Sequence, residues 1–220
     1  MDNQGAEIRF TLLNMFHDGG AFMYPLVLCS LFALGVVIAK MYALVSARRA
    51  SKGLLREVEG LLQANKLTEA IRRCEETPGP VAAILLSGLR RVQDDDLSSN
   101  DVEKAVKTTG TIELGFLERG LPILATVSNV APLLGFLGTV AGMIQAFDAI
   151  ARAGQVEASL VAGGIKVALI TTAAGLIIAV PVNILYNYFV TRIDKLIVDM
   201  EEGAGQVSNL IWDLTAARSK

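Results

Sequence analysis

The chain of 220 residues has few of the side chains that most catalytic and metal sites need. It contains one histidine, His17, and two cysteines, Cys29 and Cys74, which stand in no metal-ligand spacing. It has no G-x-x-x-x-G-K-S/T phosphate-binding loop. The net charge of −2 lacks the cationic surplus that nucleic-acid binding requires. The sequence therefore predicts no enzymatic activity, no metal or other cofactor and no nucleic-acid partner.

Charged side chains are also absent from long stretches of the chain. Hydrophobic residues make up 52% of the composition and the mean hydropathy is +0.48, which is high for a soluble domain. Three windows reach the roughly 20 apolar residues that span a bilayer. They are Phe22–Val45 with Lys40 near its end, the stretch between Arg119 and Asp148, and Val167–Thr191. We therefore expect an all-α membrane protein with three transmembrane helices.

The distribution of basic residues predicts the orientation of these spans. Only Arg9 precedes the first span, whereas four Lys or Arg residues follow it within positions 48–56, and the tail after the third span begins with Arg192 and Lys195. Because a basic excess stays in the cytoplasm, the N-terminus is predicted outside and the C-terminus inside. The start of the chain lacks the basic region and the cleavage site of a removable signal peptide, so the first span is expected to stay.

The cytoplasmic parts are predicted to be long helical extensions of the spans. We expect an amphipathic helix opened by Ser51, a short helix that ends at Thr77, and the helix VAAILLSGLRRVQ packed on its neighbours. The acidic run Asp94–Asp96 is interpreted as a solvated break, after which a helix from Asp101 leads into the second span as one rod. The predicted segments are periplasmic 1–21, transmembrane 22–45, cytoplasmic 46–119, transmembrane 120–147, a periplasmic link 148–161, transmembrane 162–191 and a cytoplasmic helix 192–220.

Small and polar residues follow one face of the second and third spans at steps of three and four. They are Ser128, Pro132, Gly135, Thr139, Gly142 and Ala146 in the second span, and Gly164, Ala168, Thr172, Gly175, Ala179 and Asn183 in the third. Such faces either pack helices closely or line a pathway. The hydroxyls of Thr139 and Thr172 can hold water or accept a hydrogen bond from a carboxylic acid, or they can bond to the carbonyl one turn back.

The spans also lack a group that could carry a proton. Apart from Lys40 and Lys166 near their ends, they contain no Asp, Glu, His, Lys or Arg that could take up and release a proton. If protons cross the membrane here, a second protein must supply the carboxylate.

The segments APLLGFLGTVAGMIQAF and GGIKVALITTAAGLIIAVPVNILYNYF resemble the signature of the MotA/TolQ/ExbB proton-channel proteins, most strongly the TolQ/ExbB branch. The resemblance covers about Leu121–Tyr188, and outside this region it rests on the order of the parts. It implies a ring of five chains around two copies of a single-span ExbD/TolR-like partner whose membrane aspartate carries the proton. It further implies the bacterial inner membrane, contact with membrane lipids and a TonB/TolA-like protein as another partner.

The resemblance also assigns site residues. It implies that Thr139 and Thr172 line the proton pathway and face the partner's aspartate. Many ExbB and TolQ chains have a glutamate at the place of Val167, and here Lys166 stands beside it, so the role of that glutamate is not transferred. The remaining candidates for the pore face or for helix packing are Ser128, Pro132, Gly135, Gly142, Gly175, Ala179, Pro181 and Asn183.

Two functions are consistent with this sequence. The first is a proton-channel stator subunit of an inner-membrane motor that uses the proton motive force to transfer energy to the periplasm or outer membrane. The alternative is a non-conducting membrane scaffold, whose small-residue stripes only pack helices and whose cytoplasmic stalks dock other proteins.

Overall fold

The fold is known from a computed structural model, which describes residues 15–93, 99–155 and 158–218. Within these ranges the chain forms α-helices and a 3-10 turn at Gly20–Phe22, and no strand. The helices are α1 (Met23–Gln63), α2 (Leu67–Glu76), α3 (Pro80–Gln93), α4 (Ser99–Glu118), α5 (Leu121–Ala153) and α6 (Ala158–Arg218). The prediction of an all-α protein is confirmed.

Three helical stretches are long and apolar enough to cross a membrane. They are Gly20–Ala47, Asp101–Ala153 and Val161–Glu202 among the residues that the structure describes. Large apolar side chains on them remain exposed in the single chain, including those of Phe32, Leu133 and Ile177. A soluble protein rarely exposes so much contiguous apolar surface, whereas lipid or a neighbouring membrane helix covers it without cost. The chain is a membrane protein with three candidate spans.

The prediction that Ser51 opens a separate helix is wrong. Helix α1 continues from the first span through Ser51 to Gln63. The Ala and Arg residues before Ser51 have high helix propensity, so the helix continues past Ser51 although its side chain could cap a helix. A left-handed residue does occur within α1, at Gly53 with a φ of 103°.

The prediction that the helix from Asp101 runs into the second span as one continuous rod is not met, because the helix is interrupted at Arg119 and Gly120. Helix α4 ends at Glu118 and α5 begins at Leu121, because Gly120 adopts a left-handed φ of 93°. A left-handed glycine is a common helix stop, and Pro122 in the first turn of α5 suits a helix start because it has no amide hydrogen to satisfy. The carbonyl of Gly120 accepts the first backbone bonds of the new helix, from Ile123 and Leu124.

The chain divides into two compact units, one built from the chain up to Val37 with Gly120–Asn187, and the other from Ile38–Arg119 with Tyr188–Lys220. In the first unit α5 and α6 pack on each other, and the start of α1 joins a small apolar cluster. The buried members of this cluster are Met23, Leu26, Ala131 and Ala179.

The second unit has an apolar core of its own, to which α2, α3 and α4 contribute. Its fully buried side chains include Val58, Leu62, Leu85 and Leu89. The predictions that the VAAILLSGLRRVQ helix packs on its neighbours, and that the preceding helix stops at Thr77, are confirmed. The predicted break at Asp94–Asp96 lies outside the described residues.

Candidate functional site

Helices α5 and α6 of the first unit meet through a seam of small residues. The buried members on α5 are Ala131, Gly135, Gly138, Gly142 and Ala146, and those on α6 are Gly164, Ala168, Thr171, Gly175 and Ala179. These positions recur at steps of three and four and therefore share one face of each helix. Much of the predicted stripe thus packs the two helices of one chain against each other, which is the usual use of small residues in membrane helices.

The backbones in this seam approach so closely that a methyl group does not fit at several glycines. A Cβ atom added to Gly142 would lie 2.7 Å from the carbonyl oxygen of Gly164. One added to Gly135 would lie 2.9 Å from the carbonyl oxygen of Thr171 and 3.1 Å from the Cα of Thr172. Because the obstructing atoms belong to the backbone, they cannot turn aside as a flexible side chain would. The two helices therefore form a closely fitted pair.

The neighbouring threonines of the TTA motif occupy different environments. Thr171 is fully buried in the seam, where it lies against Gly138. Its hydroxyl lies 3.0 Å from the carbonyl oxygens of both Val167 and Ala168. Sequence reasoning missed this seam residue, because steps of three and four from Ala168 lead to Thr171 and Thr172 equally well. Thr172 is only half-buried and lies towards the edge of the seam.

The hydroxyl hydrogens of the two predicted pathway residues point at backbone carbonyls. Thr139 Oγ1 donates to the Phe136 oxygen at 2.6 Å. Thr172 Oγ1 lies 3.1 Å from the Ala168 oxygen and 3.4 Å from the Gly135 oxygen on α5. The alternative of a bond one turn back is therefore present in the single chain. A hydroxyl has one hydrogen and two lone pairs, so each threonine retains lone pairs that can accept a hydrogen bond.

The other predicted site residues divide between the seam and the outer faces. The structure brings Gly135, Gly142, Gly175 and Ala179 into the packed seam, whereas Ser128 and Pro132 are half-buried and Pro181 and Asn183 are exposed. Ser128 donates its hydroxyl hydrogen to the Ala125 oxygen at 2.9 Å. Asn183 accepts a hydrogen bond of 2.9 Å from the side chain of Asn187. These eight residues therefore do not form one common surface.

The charged residue beside Val167 has a partner at the start of the chain. Lys166 Nζ lies 2.6 Å from the carboxylate of Asp18, and both side chains are partly exposed. Val167 itself is half-buried and carries no charge. Sequence reasoning did not find this ion pair, because no local pattern connects residues so far apart in the chain.

The lysine of the first span is buried and donates a hydrogen bond to a backbone oxygen within the second unit. Lys40 Nζ donates to the carbonyl oxygen of Leu117 at 2.6 Å. Leu117 is in the last turn of α4, whose carbonyls have no partners within the helix. An ammonium group at a helix C-terminus also interacts favourably with the helix dipole. Lys40 therefore stabilises the C-terminal end of α4.

Potential metal ligands do not gather anywhere in the described ranges. Among residues 15–93, 99–155 and 158–218, no three His, Cys, Asp or Glu side chains are close enough to hold a metal ion. The chemistry that the site offers consists of hydroxyl lone pairs on α5 and α6.

Comparison with known proteins supports the resemblance seen in the sequence. The profile of the MotA/TolQ/ExbB proton channel family matches residues 76–202, which is more than half of the chain. The Tol-Pal system protein TolQ of Pseudomonas aeruginosa is 34% identical over 161 residues, covering 68% of this chain and 70% of the relative. The biopolymer transport protein ExbB of Pseudomonas putida is 30% identical over 198 residues, covering 86% of this chain and 58% of the relative. ExbB of Aquifex aeolicus is 40% identical over 93 residues, covering 42% of this chain and 63% of the relative.

Three features now agree: three candidate membrane helices, the two motif segments paired along one seam, and the match of the family profile to both of those helices. The chain belongs to the MotA/TolQ/ExbB proton channel family.

Proposed function

We propose that this chain is the channel-forming stator subunit of a motor in the bacterial inner membrane, and that it works with a single-span ExbD/TolR-like partner. The proposal includes a ring of five chains around two partner helices. Energy from the proton motive force passes through the partner, and through a TonB/TolA-like protein, to the periplasm or the outer membrane. Membership of the family and the names of the ExbB and TolQ relatives support this assignment.

The chemical composition of α5 and α6 supports a passive role for this chain. No Asp, Glu, Lys, Arg or His lies between Arg119 and Asp148 or between Lys166 and Arg192. Neither span therefore has a side chain that could take up and release a proton at the depth of the bilayer. The acid must belong to the partner.

The hydrogen bonds of Thr139 and Thr172 determine which atoms of their hydroxyl groups are available to the partner's acid. Their hydroxyl hydrogens are directed at carbonyl oxygens, so their lone pairs are what they offer to the pathway. A protonated carboxylic acid can donate its O–H to such a lone pair, whereas a carboxylate has no hydrogen to donate. The neutral acid is therefore stabilised beside the threonines, and the ionised acid is stabilised where water reaches it.

This difference couples proton movement to movement of the partner helix. An elementary charge that crosses the membrane potential releases about 2.3 kcal/mol per 100 mV. Each protonation favours a position of the acid against the wall, and each deprotonation favours its return to water. Because a pair of helices cannot match a five-fold ring at both acids at once, the two acids alternate, and the pair turns within the ring.

One structural observation favours the scaffold as a second candidate function. The small residues of the stripe are largely occupied by packing within the chain, and both predicted pathway hydroxyls already have acceptors. A scaffold needs nothing more than this. The stator requires the hydroxyl of Thr172 for proton conduction, whereas the scaffold does not need this hydroxyl for its function.

The discriminating experiment replaces neighbouring threonines by valine, which keeps the shape and removes the hydroxyl. The Thr172→Val and Thr171→Val variants are reconstituted in vesicles with the single-span partner, and proton uptake is followed with an internal pH dye. We expect Thr172→Val to assemble normally and to lose most of the flux. Thr171→Val is the matched control, because its hydroxyl is enclosed in the seam, and it should keep the flux. Normal flux in Thr172→Val would rule out the proposed role of that hydroxyl, whereas absence of flux in the parent chain with its partner would favour the non-conducting scaffold.

A further inference from the structure

A groove in the second unit lies where the apolar part of α6 ends. It has a volume of about 510 Å³. Its α6 wall is the segment Tyr188–Asp199, and its α1 wall consists of Met41, Leu44 and Val45. The uncharged run of α6 ends at Thr191, and Arg192 is the first charged residue after it. The groove therefore begins at the level of lipid acyl chains and ends at the level of lipid headgroups.

The side chains on the α6 wall change from apolar to basic to acidic along the helix. Tyr188, Arg192, Lys195 and Asp199 follow at steps of four, three and four, which places them on one helix face. The two basic residues are about 4.5 Å apart along the axis, and the carboxylate follows about 6 Å further on. The guanidinium carbon of Arg192 lies 5.0 Å from the centre of the Tyr188 ring. The described part of the chain provides no ion-pair partner for Arg192, Lys195 or Asp199.

We propose that this groove binds a zwitterionic aminophospholipid, with phosphatidylethanolamine as the chemical type. One acyl chain lies against Met41 and Val45, which are about two-fifths exposed in the single chain. Arg192 and Lys195 bind the phosphate, and Asp199 accepts hydrogen bonds from the primary ammonium group beyond it. The order of the charges along α6 thus matches the order of the groups in such a headgroup.

The acidic residues of the groove distinguish this ligand from the other possible occupants. Asp194 and Asp199 both line the groove and together balance the two cations. An anionic lipid such as phosphatidylglycerol has a phosphate for the cations and neutral hydroxyls, but no positive charge for the carboxylates. A choline lipid has a positive headgroup, but its quaternary nitrogen has no hydrogen to donate to Asp199. A second copy of this chain would have to bring both charges in the same order.

The test measures lipid binding to the full-length chain, purified in mild detergent, by native mass spectrometry during titration with three lipids of equal acyl composition. The lipids are phosphatidylethanolamine, phosphatidylcholine and phosphatidylglycerol. We expect phosphatidylethanolamine to bind with a dissociation constant about fivefold lower than the other two, which corresponds to one partly exposed charged hydrogen bond. Asp199→Asn should abolish this preference, and Lys195→Gln should weaken binding of all three lipids.

Matched controls remove one charge of each sign elsewhere on the chain. Arg152 and Asp148 are near the C-terminal end of α5 and do not line the groove. Arg152→Gln and Asp148→Asn should therefore leave all three dissociation constants unchanged. Preferential binding of phosphatidylglycerol that is insensitive to Asp199→Asn would overturn the proposal in favour of an anionic lipid. Disulfide crosslinking between chains through Val45→Cys and Tyr188→Cys, with no lipid retained, would overturn it in favour of a second copy of this chain.

Discussion

The close packing of α5 against α6 predicts that alanine has different effects on stability at two adjacent glycines of α6. A Cβ atom added to Gly164 would lie 2.6 Å from the Cβ of Ala146 and would also clash with the Gly142 carbonyl oxygen, whereas one added to Gly163 meets nothing within 4 Å. Both residues are in the same helical turn and differ only in the direction they face. Substitution by alanine at both positions therefore isolates the effect of the seam.

The magnitude follows from two opposing contributions. Alanine is favoured over glycine in a helix by about 1 kcal/mol, and this gain is common to both variants. An added methyl group in a fully packed contact costs about 1 to 3 kcal/mol, because the backbone must shift. Gly163→Ala should therefore be as stable as the parent chain or more stable. Gly164→Ala should have a free energy of unfolding lower than that of Gly163→Ala by about 1 to 3 kcal/mol.

The free energy of unfolding is measured by titrating the chain from mild detergent into SDS and following the loss of helical circular dichroism. Comparison of the two variants cancels effects of helix propensity and of the detergent. Equal stability of Gly163→Ala and Gly164→Ala would refute the close contact of α5 with α6. A seam that loosens should also reduce proton flux in vesicles that contain the partner, since Thr172 is positioned against Gly135 across it.

Two further predictions concern the second unit. Lys40→Met leaves the Leu117 carbonyl without its hydrogen-bond donor and should speed amide hydrogen exchange around Gly120. Lys40→Arg keeps a donor, so this variant should exchange as slowly as the parent chain. Equal exchange in the two variants would contradict the capping role. Burial, with a smaller contribution from Glu75, raises the pKa of the Cys74 thiol to about 11. Because the folded chain holds this proton more tightly than the unfolded chain, stability should fall between about pH 8.5 and 11. The SDS midpoint of the parent chain should drop more steeply over this range than that of Cys74→Ala, and parallel curves would show that Cys74 does not contribute.

Periodicity and hydropathy predicted the helical class and the three spans, because both depend on composition averaged over many residues. They failed at the ends of helices. Nothing in the local pattern decides whether Ser51 caps a new helix or stands within an old one, and the structure continues α1 through it. At position 120 the sequence contains a glycine, which can end a helix, but only the structure shows that Gly120 adopts the left-handed conformation that does so.

The sequence predicted which faces of α5 and α6 carry the small residues, but it did not predict which of these residues contact each other. The three-and-four spacing identified the seam, yet it could not decide whether Thr171 or Thr172 enters it. The resemblance to the family favoured Thr172 as the pathway residue, and the structure leaves that hydroxyl half-buried while it encloses Thr171. The ion pair of Lys166 with Asp18 and the bond from Lys40 to Leu117 join distant parts of the chain, so only the fold brings them together.

The central claim is that this chain provides a passive wall and that the acid that carries the proton belongs to a partner. It is tested most directly by proton flux into vesicles that contain this chain alone, this chain with its single-span partner, or this chain with a partner whose membrane aspartate is replaced by asparagine. The account predicts potential-driven flux only in the second case. Flux through this chain alone, or flux that survives the loss of the partner's carboxylate, would contradict it.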